Sequence, residues 1–171
     1  DGGDKLWAVS AAGVQRFTVN GDGTLSAAES TLSGITGALA IDCDKVNNVI
    51  RVADGDDRVK TYNSLTGAAI GAPFGQVNGY ATNPDVEDNK FYLSDPILGY
   101  EYKTFIAHDT DGSWWLGDPM NSRCQHFEAD NDFIESISFI PKCYSHTTNL
   151  TDSSRLFANG LELSYNYTTG I

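Results

Sequence analysis

The sequence predicts an all-β chain folded as a β-propeller with about four to five blades, an incomplete ring or part of a larger propeller. Helical periodicity is nearly absent, short apolar or alternating runs recur between turn dipeptides, and two long stretches repeat each other at a steady offset. The 171 residues suit a single domain, and an apolar fraction of 40% is enough for a real core.

The strands follow in order. Leu6–Ser10, Gly13–Val19, Ala38–Asp42, Val49–Asp54, Arg58–Asn63, Lys90–Asp95, Phe105–Asp109, Ser113–Asp118, Arg123–Glu128, Phe133–Phe139, Arg155–Asn159 and Leu161–Tyr167 read as strands. Between them stand Asn20-Gly21-Asp22-Gly23, Asn47-Asn48, Asp54-Gly55-Asp56, Thr66-Gly67 and Asp111-Gly112. Gly, Asn and Asp tolerate the positive φ that tight hairpins need.

Stacking the strands exposes the repeat. Leu39–Asp42, Val49–Asp54 and Arg58–Tyr62 recur as Ile106–Asp109, Ser113–Asp118 and Arg123–Phe127, with Asp42 and Asp109 67 positions apart. The apolar centres of the second strands, Val9, Val52, Leu93, Leu116 and Phe157, are separated by 43, 41, 23 and 41. A period near ~42 fits a four-stranded blade, whose sheet buries both faces against neighbours; hence Val49–Ala53 is apolar on both sides. The short gap leaves the third blade no room for an outer strand, so that blade is trimmed or residues are missing around 103–104. The expected organisation is one propeller domain over 1–171, in units of about 1–34, 35–76, 77–103, 104–140 and 141–171.

A formal net charge of −12 argues against nucleic acid, since phosphate binding depends on Lys and Arg. No apolar run is long enough for a membrane span. A chain that opens at Asp1, with Met120 its only methionine, reads as a processed product or a piece of something larger. The sequons Asn149-Leu-Thr151 and Asn166-Tyr-Thr168 predict N-linked glycans and an extracellular or secreted location. In an oxidising compartment Cys124 and Cys143 are the expected disulfide, leaving Cys43 odd; the alternative is three small buried apolar side chains.

The repeated units resemble NHL-type β-propeller repeats: an apolar strand ending in Asp, a Gly/Asn turn, an apolar strand ending in Ala-Asp, then Asn-x-Arg and a strand with an aromatic. Leu39–Asp42, Val49–Asp54 and Arg58–Tyr62 carry the likeness, and so do Ile106–Asp109, Trp114–Asp118 and Asn121-Ser122-Arg123–Phe127. Gly13–Leu25 is similar to lactonase-like propellers. The resemblance implies closure with five to seven blades, more than this chain holds. It also implies structural Asp/Arg turn pairs within blades, Asp54 with Arg58 and Asp118 with Arg123.

Few residues suggest chemistry. His108 and His146 sit near first strands, which line a propeller channel, and propeller lyases and lactonases use channel His or carboxylates. With Asp42, Asp85 or Asp109 they make a weak metal set, and satisfied structural histidines are the favoured reading. Asp109-Thr110-Asp111-Gly112-Ser113 opens like a calcium loop but lacks the twelve-residue pattern, so an ordinary turn is favoured; no cofactor is expected, with calcium the one candidate ion. Of Trp114-Trp115, one ring should pack between blades and the other face a rim. The expectation is a non-enzymatic, secreted, glycosylated scaffold or protein-interaction domain of an extracellular assembly or filament. Its partners would be other copies of itself or flanking blades of a parent chain. A metal-dependent lactonase or lyase is the alternative.

Overall fold

The computed structural model describes residues 5–79, 87–93, 103–138, 146–148, 151, 154–158 and 161–164. The chain divides into two compact units, Asp1–Ser138 and Phe139–Ile171. The fold is all-β: separate antiparallel sheets, each joining strands consecutive in sequence, with a 3-10 turn at Pro119–Asn121. No sheet closes into a barrel among the described residues.

In the first unit, β1 (Lys5–Ser10), β2 (Gly13–Thr18) and β3 (Ser30–Thr31) form one sheet. A second contains β4 (Ala38–Asp44), β5 (Val49–Asp54) and β6 (Arg58–Asn63). The third contains β7 (Ile106–His108), β8 (Trp114–Asp118), β9 (Arg123–Phe127) and β10 (Phe133–Ser138). In the second unit β11 (His146–Thr148), β12 (Arg155–Ala158) and β13 (Leu161–Ser164) make a three-stranded sheet.

Local chemistry fixes the hairpins. Asp44 Oδ1 accepts the Val46 and Asn47 amides at 2.8 and 3.0 Å, closing the β4–β5 turn, and Asn48 takes φ 54°. Between β7 and β8, Gly112 holds φ 93°, a value that any side chain would strain. Gly117 serves closeness instead: a Cβ there would meet Phe105 Cδ1 at 2.5 Å.

Two cores flank the middle sheet. Ile50, Val52 and Tyr62 pack with Trp7, Val14 and Leu32 on one side. Ala53 and Val59 pack with Phe91, Leu93, Ile106, Trp114, Leu116 and Phe127 on the other. Alternate residues of β5 therefore enter different cores, and Ile50 to Asp54 are all buried. This is why β5 lacks the apolar–polar alternation of a sheet with one wet face.

The strand expected at Lys90–Asp95 is absent over 90–93. Its backbone finds side chains instead of a ladder: the Tyr92 amide donates to Asp118 Oδ1 at 2.8 Å, the Leu93 amide to Asp57 Oδ1 at 2.9 Å, and Thr104 Oγ1 to the Leu93 carbonyl at 2.7 Å. The segment is thus held by Asp57 from the β5–β6 turn and by Asp118 from β8. Leu93 is not a second-strand centre, which accounts for the spacing of 23. Residues 94–102 lie outside the described residues. The two-residue β3 and three-residue β11 are too short to show in the sequence pattern.

Candidate functional site

Asp42 on β4, Arg51 on β5 and His108 on β7 form a continuous line of hydrogen bonds. Asp42 Oδ2 accepts the His108 backbone amide at 2.8 Å and lies 2.9 Å from His108 Nδ1. Arg51 Nη1 lies 2.7 Å from His108 Nε2, and Arg51 Nη2 donates to the Ala129 carbonyl at 2.7 Å. The guanidinium also sits over the Trp114 ring, 4.8 Å from its centroid.

The chemistry fixes the tautomer. Arginine only donates, so Nε2 must accept; the ring proton then resides on Nδ1 and is donated to Asp42. The His108 side chain is 4% exposed, whereas Asp42 is 39% exposed. The line therefore runs from a buried cation to a carboxylate in contact with solvent. Burial depresses the His108 pKa, the Asp42 hydrogen bond opposes that, and Arg51 adds to the depression. Burial pulls the Arg51 guanidinium down to about 10, with Asp44 opposing.

His108 is a poor metal ligand in this setting, because both ring nitrogens are engaged. Asp109 Oδ1 accepts the Thr110 amide at 2.6 Å, and Asp111 Oδ1 accepts the Ser113 amide and hydroxyl at 2.9 and 2.6 Å. These two carboxylates thus brace their own hairpin. The side chain of His146, and Asn149, Asn166, Asp85 and Cys143, lie outside the described residues. Among the described residues no three His, Cys, Asp or Glu side chains converge as a metal-binding group. Among the described residues neither Cys43 nor Cys124 has a disulfide partner, and burial pushes the Cys124 thiol pKa up, helped by Asp118.

Asp118 and Arg123 meet as the sequence suggested, with Nε to Oδ2 at 2.8 Å. Asp54 does not take Arg58. It accepts the Thr36 and Gly37 amides and pairs with Lys60, while Arg58 turns to Asp56 at 2.6 Å. Arg58 stands opposite Asp54 in register, but the Asp54 oxygens are already filled. Burial raises the Asp54 pKa, yet Lys60 and the amides of Thr36 and Gly37 outweigh it and bring it to about 2. Both aspartates are fully buried, so these contacts hold loops to sheets. Of the two adjacent tryptophans, Trp114 is buried, and Trp115 stacks on His126 at 4.3 Å.

Sequence reasoning put Asp42 among the carboxylates for His108 but missed Arg51. The available signal was a charged residue between Ile50 and Val52, inside the otherwise apolar run Val49–Ala53.

No family model matches the chain, NHL repeats included, and no curated protein matches it. Solved structures do. A protein of Bacteroides uniformis ATCC 8492, provisionally assigned as a 6-phosphogluconolactonase, superposes with a TM-score of 0.52 at 13% identity, over 100% of this chain and 53% of its own. A functionally unknown protein from Desulfotomaculum acetoxidans DSM 771 gives 0.46 at 17% identity, over 88% of this chain and 45% of its own. A protein from Lactobacillus plantarum gives 0.45 at 10% identity, over 91% and 43%. This chain spans about half the length of these proteins. The first likeness shows a shared fold and agrees with the lactonase-like character of Gly13–Leu25. It also overturns the expectation that this chain is not an enzyme, since the fold is shared with a protein assigned to an enzyme class.

Proposed function

We propose that this chain forms part of a β-propeller hydrolase that opens lactones of sugar acids, with Asp42 as the general base. In this reading the three sheets of the first unit are successive blades, and β4 and β7 are inner strands facing the ring axis. Flanking blades of a parent chain, or another copy, supply the rest. The observation that carries the proposal is the Arg51–His108–Asp42 line, which ends in the exposed carboxylate.

The chemistry follows from that arrangement. His108 donates Nδ1–H to Oδ2 and holds the Asp42 carboxylate in one orientation. Arg51 keeps Nε2 unprotonated and the ring in place. Asp42 takes a proton from water as the water oxygen bonds to the lactone carbonyl carbon. The carbon–ring oxygen bond then breaks, and the ring oxygen is protonated from solvent, giving the hydroxy acid. Positioned general bases contribute about 10²–10⁴-fold.

Hydrolysis of a sugar-acid δ-lactone by the purified protein, followed by pH-stat, tests the proposal. Asp42→Asn should lower the rate about 100-fold or more. A wild-type rate equal to the buffer rate, or an unaffected variant, rules the base out. Secretion, glycans at Asn149 and Asn166 and a Cys124–Cys143 bridge are proposed alongside. Intact mass of the natively produced protein before and after deglycosylation and reduction measures the glycans and the bridge, and its recovery from the medium rather than the cells measures secretion.

A further inference from the structure

Arg51 Nη1 and His108 Nε2 lie 2.7 Å apart, a hydrogen bond that exists only while Nε2 carries no proton. On the other side of the ring Nδ1 donates to Asp42 Oδ2 at 2.9 Å, so the next proton the ring takes goes to Nε2. That proton sets two donors and two positive charges face to face. Arg51 does not yield its own, since burial pulls the guanidinium down only to about 10. Among the described residues the charged groups facing the ring are Asp42 and Asp44 of β4 and Arg51 of β5, while β8 sets Trp114 opposite it. The group that must give way is the Arg51 guanidinium.

A second position for it is already built. Arg51 Nη2 donates to the Ala129 carbonyl at 2.7 Å, and the guanidinium lies over the Trp114 ring. Asp44 is buried, and its charge favours the charged form of Arg51. Asp44 Oδ2 stands beside Ala129: a Cβ at Gly112 would lie 3.9 Å from that oxygen and 3.7 Å from the Ala129 Cβ. Oδ2 accepts the Asn47 side-chain amide at 2.6 Å and keeps a lone pair for a further donor. By pivoting on Ala129, Nη1 exchanges an imidazole nitrogen for a carboxylate oxygen, and the new bond is charge-assisted at both ends.

We propose that His108 is an acid-operated latch: a proton on Nε2 drives Arg51 off the ring and onto Asp44, and leaves Asp42 paired with an imidazolium. The proton comes from solvent. The Nε2–H bond forms, the Arg51–Nε2 hydrogen bond breaks, and no other covalent bond changes. The switch stands on this geometry alone. Its consequence, that Asp42 stops drawing a proton from water in acid, rests on the lactone reading.

Titration of the ¹³C,¹⁵N-labelled protein from about pH 7.5 to about 4.5, without substrate, tests the latch. The scalar coupling across the Arg51 Nη1–H···Nε2 hydrogen bond should vanish as His108 becomes imidazolium. The Asp44 carboxyl carbon should shift at the same midpoint, which lies below that of an exposed histidine. Arg51→Met should raise the proton affinity of the ring about tenfold. A coupling that survives ring protonation, an Asp44 carbon that does not respond, an Arg51→Met ring that titrates like wild type, or a ring that stays neutral until the fold is lost each overturns the proposal. If Arg51→Met does not fold, the wild-type readings decide. Lactone hydrolysis is read separately, and its rate should fall about tenfold per pH unit below the His108 midpoint. A protein that shows the latch but opens no lactone keeps the switch and loses the lactone reading. An active protein whose rate ignores that midpoint keeps the base and loses its control by His108.

Discussion

Replacing Asp118 by Ala should cost about 3–5 kcal/mol, the range for removing one partner of a buried ion pair. Asp118 has no solvent exposure and serves three groups: the Tyr92 amide at 2.8 Å, the Asn121 side-chain amide at 2.7 Å and Arg123 Nε at 2.8 Å. Its loss strands a buried guanidinium, whose other donations go to the Glu87 and Lys90 carbonyls at 2.9 and 2.8 Å. The strip at 87–93 thereby loses its anchor on the third sheet as well. Urea unfolding followed by tryptophan fluorescence reads this directly, because Trp7, Trp114 and Trp115 all belong to the first unit. The midpoint should fall with little change in slope. Glu29→Ala, which removes an exposed partner of Lys5 and Arg16, should leave the midpoint nearly unchanged. An Asp118→Ala midpoint within the effect of Glu29→Ala would refute the idea that this carboxylate clamps strip to sheet.

Two further predictions concern His108 and Gly117. The His108 pKa is lower folded than unfolded, so the unfolded chain binds the proton more readily; stability from neutral His108 is complete above about pH 6.5 and is lost as pH falls through the lower folded value. Thermal melts between pH 7.5 and 5 should show that loss, and His108→Gln should flatten it; equal slopes for the two proteins would contradict the burial argument. Gly117→Ala should destabilise the third sheet by about 1–3 kcal/mol, since its Cβ would lie 2.5 Å from the Phe105 ring and 3.1 Å from the Phe105 amide nitrogen. A neutral substitution in urea melts would mean that Phe105 packs elsewhere.

Strand positions were legible because turn chemistry and apolar runs are local. Asn47-Asn48 and Asp111-Gly112 sit at hairpin tips, and Val49–Asp54 and Arg58–Asn63 carry the expected bounds. The two-sided burial of β5 was legible for the same reason, since period-two patterning reports both faces of one strand. The 90–93 strip was not, because an apolar extended run looks the same whether its amides meet a strand or Asp57 and Asp118. Asp54 illustrates the same limit: sequence spacing proposed Arg58, but Thr36 and Gly37, from the loop before β4, had already claimed its oxygens. The candidate site was half legible. Asp42 and His108 lie on β4 and β7, strands that the sequence repeat sets in correspondence, but the tautomer depends on Arg51, which reaches the ring only across the gap between two sheets.

The most direct test of the account is the ¹⁵N spectrum of His108 at pH 7, read through long-range couplings to the ring protons. The expected result is a neutral ring with its proton on Nδ1 and a bare Nε2, and loss of that signature in Arg51→Met. A ring protonated on Nε2, or a doubly protonated ring at that pH, would contradict the Arg51–His108–Asp42 line on which the proposed chemistry stands.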